Sequence, residues 1–148
     1  MQLELSGIDE YISAQALERL FTVAAAHVGM DTDFLLAVSL VDDAESRRLN
    51  KQYRGKDTPT DVLSFGYEDG KQRPQPGEKT RYLGDVVIAE GVARVQAREQ
   101  EYPFADELYF LLVHGFLHLL GHDHERARDA QKMSALHERI IQTFYAKD

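Results

Sequence analysis

One stretch decides the fold of this chain: Leu111-Leu112-Val113-His114-Gly115-Phe116-Leu117-His118-Leu119-Leu120-Gly121-His122-Asp123-His124. Its first ten residues are apolar except for Gly115 and two histidines. A run of this length is too short to span a bilayer and predicts a buried helix. His114 and His118 are four residues apart, so on a helix they lie on one face, about 6 Å apart along the axis. This spacing suits two imidazoles that bind one metal ion.

The position of a glycine predicts the third ligand. His122 would continue the same helical face, but it would lie about 12 Å along the axis from His114. That is too far for ligands whose bonds to the metal are only about 2.0–2.1 Å long. Gly121 can end the helix, because glycine takes positive φ at little cost, and the chain can then turn back towards the ion. We therefore predict one zinc ion per chain, bound by His114, His118 and His124, with a fourth position open for water as in catalytic sites.

The same residues argue against ordinary protease chemistry. A pair of histidines alone would be weak evidence for a metal, whereas three with glycine at the break are hard to obtain by chance. The spacing H-x-x-x-H-x-x-G-x-x-H is that of the metzincin proteases, which place a Glu general base directly after the first histidine. Here that position is Gly115. The pattern therefore predicts a catalytic type of metal site without the protease base.

The composition is that of a soluble globular domain. The 148 residues suit a single domain, 1–148, long enough to bury one core. The chain is 43% hydrophobic and 28% charged and has no cysteine, which excludes disulfides and thiolate ligands. The first residues show no basic segment followed by an apolar run, and no stretch suits a membrane span. We therefore expect a cytoplasmic protein with no membrane partner.

The charge is unevenly distributed along the chain. The net charge is −8, which argues against a protein that coats nucleic acid through bulk electrostatics. Residues 47–81 nevertheless carry nine Lys or Arg against five Asp or Glu. This basic tract is either a local phosphate-binding surface or a solvated face and loop, and charge alone favours the second interpretation.

The order of predicted elements indicates an α+β fold. Strands are predicted at Met1–Leu5, Phe34–Val41, Val62–Phe65 and Tyr82–Ala89, the last interrupted at Gly84-Asp85, and residues 66–80 are predicted to form a loop. Helices are predicted from the Ser13 cap to about His27, from an Asp42 or Asp43 cap to Tyr53, at Glu90–Gln100, from an Asp106 cap through the histidines, and at Arg126–Tyr145. We expect a small mixed sheet of about four strands packed with about five helices, with a metal-binding helix of the zincin type.

Two blocks of sequence resemble a known family. They are Asn50-Lys51-Gln52-Tyr53-Arg54-Gly55-Lys56-Asp57-Thr58-Pro59-Thr60-Asp61-Val62-Leu63-Ser64-Phe65 and the segment His114–His124, with a smaller match at Leu83-Gly84-Asp85-Val86. On these residues the chain resembles the bacterial YbeY family, metal-dependent endoribonucleases of ribosomal RNA maturation. One departure is His122, where the family usually has Tyr. That histidine adds a possible competing ligand without disturbing the three-histidine pattern.

The resemblance implies a specific function. It implies a zinc-dependent endoribonuclease that cleaves single-stranded RNA in small-subunit ribosomal RNA maturation and ribosome quality control. The implied partners are ribosomal RNA and the ribosome or its proteins. It also implies zinc on the three histidines and a catalytic role for Arg54, whose guanidinium would stabilise charge on the scissile phosphate. Without the resemblance, Arg54 would be interpreted as a surface arginine.

Several alternatives stay open at this point. A metalloprotease of altered mechanism and a non-catalytic, zinc-stabilised binding protein are the competing classes of function. The attacking group is either water or a ribose 2′-hydroxyl. Asp85 is interpreted as structural or as a support for a ligand, without a firm assignment, and the sequence makes no prediction of oligomeric state.

Overall fold

The described part of the chain forms a sheet of four strands in the order β1-β2-β4-β3. The computed structural model describes residues 1–66, 81–121 and 127–146, with the backbone alone for 127–129. The strands are β1 (Gln2–Ser6), β2 (Phe34–Val41), β3 (Val62–Gly66) and β4 (Arg81–Ala89). Strand β2 is parallel to β1 and β4, whereas β3 is antiparallel to β4 and, within the described residues, forms one edge. The predicted mixed sheet is confirmed, and the predicted loop lies outside the described residues except for Gly66, which ends β3.

Within the described residues, five α-helices pack with this sheet, as predicted. They are α1 (Ala14–His27), α2 (Asp43–Arg54), α3 (Glu90–Gln100), α4 (Phe104–Leu119) and α5 (Ala127–Ala146), and a 3-10 turn spans Ile8–Glu10. The predicted caps of α1 and α2 are confirmed, because Ser13 Oγ accepts a hydrogen bond from the Ala16 N–H and the Asp42 carboxylate accepts one from the Glu45 N–H. The helices therefore start where short polar side chains satisfy the first free N–H groups.

The predicted cap of the histidine helix is wrong. Helix α4 begins at Phe104, after Pro103, and not after Asp106. The Pro103 carbonyl already accepts a hydrogen bond of 3.0 Å from the Asp106 N–H. Asp106 lies in the first helical turn, where its charge suits the helix dipole and its carboxylate accepts a 2.6 Å hydrogen bond from the Tyr145 hydroxyl.

The predicted interruption at Gly84-Asp85 is also wrong. Strand β4 continues through both residues, and a register shift opposite β2 leaves Leu83 without a partner of its own, which is a β-bulge. Gly84 has φ +142°, and a Cβ there would clash with the Phe65 carbonyl oxygen. The glycine therefore keeps the strand intact, because it permits a close approach of β3 that a side chain would prevent.

Helix α4 lies at the centre of the fold. It packs against β3 and β4 of the sheet and against α1, α3 and α5. Phe116 is fully buried, and its ring lies 5.5 Å from that of Phe21 on α1 and 5.9 Å from that of Phe34 on β2. The apolar stretch is therefore buried on several sides, which explains why so little of it is polar. Among the described helices, none has the length and apolar character needed to cross a bilayer.

Candidate active site

Two histidines of α4 face one cleft. The rings of His114 and His118 lie with their centroids 4.5 Å apart, as the four-residue spacing predicts. Both side chains are half-buried and line a cleft of about 740 Å³ between the end of α4 and strand β3. Two imidazoles on one helical face that open to the same cleft form a donor set that fits zinc.

The helix ends where the glycine predicts. Its last residue is Leu119, and the Gly121 N–H donates a 3.0 Å hydrogen bond to the His118 carbonyl, with Gly121 at φ +88°. His122 and His124 lie outside the described residues. Within the described part of the chain, no three His, Asp or Glu side chains are grouped to hold a metal ion. The structure therefore places His114 and His118 at the cleft, and His124 stays a predicted third ligand.

The residue after His114 has no room for a side chain. A Cβ on Gly115 would lie 2.7 Å from Val86 Cγ1 and 3.0 Å from Ser64 Oγ, both in the sheet. Any side chain at this position would therefore point into the sheet and not into the cleft. The glutamate that a metzincin protease requires is excluded here by packing as well as by identity.

Ser64 connects the sheet to both sides of the cleft. Its hydroxyl donates a 2.9 Å hydrogen bond to the Gly115 carbonyl of α4. Its main-chain carbonyl accepts a 2.9 Å hydrogen bond from Arg54 Nη2. Arg54 is the last residue of α2, and Gly55 ends that helix with a left-handed conformation at φ +73°. The exposed guanidinium of Arg54 therefore reaches the edge of strand β3 and lines the same cleft as His114 and His118.

Asp85 lies away from this cleft. The neighbouring Val86 side chain faces α4, so Asp85 points to the opposite face of the sheet. There its carboxylate accepts a 2.7 Å hydrogen bond from the Tyr82 hydroxyl, and burial together with this bond raises the pKa of Tyr82. The geometry fits a structural role for Asp85 better than support of a metal ligand.

Four further polar residues line the cleft that the sequence did not single out, namely Thr60, Asp61, Ser64 and Arg81. The Asp61 carboxylate accepts hydrogen bonds from the Val62 N–H at 2.7 Å and from Gln96 Nε2 at 3.3 Å. Only the basic tract hinted at Arg81. Ser64 and Asp61 lie inside the first family-like block, but their roles depend on strand pairing, which is not visible in a local pattern.

Two buried titratable groups lie on or beside α4. Glu107 is 3% exposed, and it accepts a 2.5 Å hydrogen bond from the Tyr102 hydroxyl. Burial raises the pKa of Glu107, and repulsion from Asp61 adds to this rise. His137 on α5 is also buried, its Nε2 lies 2.9 Å from the Phe110 carbonyl, and burial lowers its pKa. His137 is therefore a core residue.

Comparison with known proteins identifies similar chains. A family model described as endoribonuclease YbeY matches residues 4–145. The endoribonuclease YbeY of Alkalilimnicola ehrlichii is 48% identical over 85% of this chain and 74% of its own length. That of Geobacillus thermodenitrificans is 40% identical over 97% of each chain. The solution structure of TM1509 from Thermotoga maritima matches with a TM-score of 0.60 at 26% identity, covering 98% of this chain and 90% of that one.

Proposed function

The chain belongs to the YbeY family of endoribonucleases, and from this premise we propose a zinc-dependent enzyme that cleaves single-stranded RNA. We further propose that it acts in maturation of small-subunit ribosomal RNA and in ribosome quality control. One observation carries the assignment of the site: Arg54 of α2 and the histidines His114 and His118 of α4 line one cleft. A cationic donor beside a pair of metal-binding imidazoles is the equipment that hydrolysis of a phosphodiester needs.

The residues of the chain divide the work of the proposed reaction. A zinc ion held by His114, His118 and the predicted ligand His124 would supply a water that ionises near neutral pH and would polarise a phosphoryl oxygen. Arg54 would bind the equatorial oxygens, where negative charge builds up. A guanidinium has five N–H donors, and its bond to the Ser64 carbonyl orients it while using one of them.

The charge of the cleft supports an anionic substrate. The whole chain carries −8, yet the charged residues of the described lining are Arg54 and Arg81 against Asp61. Asp61 is held by hydrogen bonds from the first residue of β3 and from α3. A cleft of opposite sign to the rest of the surface concentrates an anionic ligand where the reaction takes place.

Two features count against a protease. A peptide substrate commonly binds by adding a strand to an exposed sheet edge through main-chain hydrogen bonds. On the edge strand β3, the Ser64 carbonyl already accepts a hydrogen bond from Arg54. The position of the protease base is Gly115, which packs directly on Val86.

One feature counts against a zinc-stabilised binding module. The chain buries a continuous apolar core around α4 that is built from the sheet and several helices. A core of this kind supports a fold without a metal, unlike small modules that are unfolded in the apo form. Removal of zinc by a chelator should therefore lower the melting temperature and leave the circular dichroism of a folded protein.

Substrate choice tests the proposed function directly. Zinc-loaded protein would be incubated with single-stranded RNA, with the same RNA in a duplex, and with casein. We expect cleavage of the single strand alone, and His118→Ala serves as the control that removes a metal ligand. The proposal would be refuted if casein were cleaved, or if the RNA remained intact after prolonged incubation with zinc-loaded protein.

A cellular experiment tests the ribosomal role. Cells that carry only Arg54→Ala should accumulate small-subunit ribosomal RNA with unprocessed ends, and normal ends would refute the proposed role in ribosomal RNA maturation.

A further inference from the structure

A second arginine lies on the cleft beyond the proposed catalytic residues. Arg81 is the first residue of β4, and its exposed side chain lines the same cleft as Arg54, His114 and His118. Its backbone is fixed, because its N–H donates a 3.3 Å hydrogen bond to the Asp33 carbonyl and the residue pairs with Phe34 of β2. The guanidinium is therefore carried by an ordered strand at the border of the cleft.

The environment of Arg81 differs from that of three other arginines, which form ion pairs. Arg47, Arg48 and Arg94 each bind a carboxylate, on Asp57, Glu45 and Glu90, at distances of 2.7, 2.6 and 3.0 Å. Among the described residues, no ion pair joins either arginine of the cleft to a carboxylate. The charges of the three arginines in ion pairs are largely neutralised by these neighbouring carboxylates. The charge of Arg81 instead adds to that of Arg54 at the cleft, where an anionic ligand would neutralise it.

The two cleft arginines are anchored at different levels of the sheet. Arg54 is bonded to the carbonyl of Ser64, which pairs with Val86 of β4. Arg81 precedes Val86 by five residues on the same strand. At about 3.3 Å per residue, reduced by the bulge at Leu83, this places the two anchors roughly 15 Å apart along the strand. This separation of the two anchors favours a separate phosphate for each arginine along one nucleic-acid strand.

We propose that Arg81 is a second phosphate-binding residue, which holds a phosphodiester of the RNA strand away from the scissile one. The proposal rests on the proposed function of the cleft as a site of RNA cleavage. It gives the enzyme a binding subsite that short substrates do not reach. The ligand class is the phosphodiester backbone of a single strand, which Arg81 recognises without reading the base.

Salt dependence distinguishes a phosphate contact from a structural role. Steady-state kinetics would be measured for zinc-loaded wild type, Arg81→Ala, Arg81→Gln and Arg81→Lys on single-stranded RNAs of increasing length. Arg98→Ala serves as the matched control, since Arg98 is an exposed arginine in the last turn of α3 that does not belong to the described lining of the cleft.

Loss of the charge at position 81 should raise KM for long RNA by about tenfold, as for loss of a charged hydrogen bond, with a smaller effect on kcat. The slope of log(1/KM) against log salt should become shallower by about 0.7 for one lost phosphate contact on a single strand. Arg81→Lys should keep most of the slope, because an ammonium still binds phosphate as a point charge. The increase in KM should become smaller as the RNA is shortened.

The result that overturns the proposal is an Arg81→Ala or Arg81→Gln variant with the same KM and salt slope as Arg98→Ala. That outcome would leave RNA cleavage by the wild type, and with it the proposed function, intact. Failure of the wild type to cleave any RNA would instead refute the proposed function together with this subsite. Arg81→Gln keeps much of the length of the side chain, so it reports the loss of charge even where alanine disturbs the strand.

Discussion

The hydroxyl of Ser64 donates a 2.9 Å hydrogen bond to the carbonyl of Gly115, one residue after the first histidine of the cleft. This bond joins the edge strand β3 to helix α4 at the glycine that packs directly on the sheet. The carbonyl of the same serine holds Arg54. The position of the arginine relative to the histidines is therefore set through one residue of the strand.

Gly115 should tolerate no side chain. A methyl group in place of its hydrogen meets Val86 Cγ1 at 2.7 Å, and overpacking of this kind costs about 1–3 kcal/mol. Glycine to alanine in an exposed helix would instead stabilise by roughly 0.5–1 kcal/mol, so the sign of the change is informative. We expect a lower free energy of unfolding of Gly115→Ala in urea, with weaker zinc binding. The double variant Gly115→Ala/Val86→Ala should recover part of the stability, and a more stable Gly115→Ala would disprove the close packing.

The zinc site should contain one ion bound by three histidines. Elemental analysis of purified protein should find about one zinc per chain, as expected for a mononuclear site. His114→Ala, His118→Ala and His124→Ala should each lower the occupancy sharply, whereas His122→Ala should not, because even on a continued helix His122 would lie about 12 Å along the axis from His114. If His122→Ala loses zinc and His124→Ala retains it, the third ligand is His122 and not His124.

Glu107 should make the fold less stable as the pH rises. Burial raises its pKa in the folded state above the ordinary value of 4.5. As the pH rises through 4.5, the unfolded chain loses this proton first, and stability falls until the folded pKa has been passed. Glu107→Gln has no such proton, and its amide oxygen can still accept the hydrogen bond from Tyr102.

The free energy of unfolding of Glu107→Gln, minus that of wild type, should therefore increase between about pH 5 and pH 8, which is the range above the ordinary pKa of a glutamate. Urea titrations at several pH values measure this difference. Glu99→Gln removes an exposed carboxylate from α3 and controls for the change in net charge. A difference that stays flat or decreases with pH would show that the carboxyl group is ionised in the folded protein without cost.

Local sequence signals predicted much of the fold. The caps at Ser13 and Asp42 and the stop at Gly121 were predicted correctly, because each depends on residues within one turn of the chain. The predicted cap at Asp106 is wrong because the helix already begins at Phe104, directly after Pro103. The break at Gly84 was predicted wrongly because the need for glycine arises from Phe65 on another strand.

The candidate site was predictable only in part. His114 and His118 follow from spacing on a single helix, and the structure brings them to one cleft. Arg54 came from the family resemblance, and its place at the cleft depends on a bond to β3 that no local pattern shows. Ser64 reaches the cleft through pairing of β3 with β4, and Arg81 reaches it through pairing of β4 with β2. Contacts between distant segments are what the linear pattern lacks.

The rate of single-stranded RNA cleavage by zinc-loaded Arg54→Ala tests the central claim most directly. If Arg54 stabilises charge on the phosphate, its loss should slow cleavage by about 10²–10³-fold, with zinc content and melting temperature close to those of wild type. Arg54→Lys should recover only part of the rate, because an ammonium lacks the planar fork of donors. Arg48→Ala, an exposed arginine of the same helix paired with Glu45, should cleave at the wild-type rate. Full cleavage by folded, zinc-loaded Arg54→Ala would contradict the account.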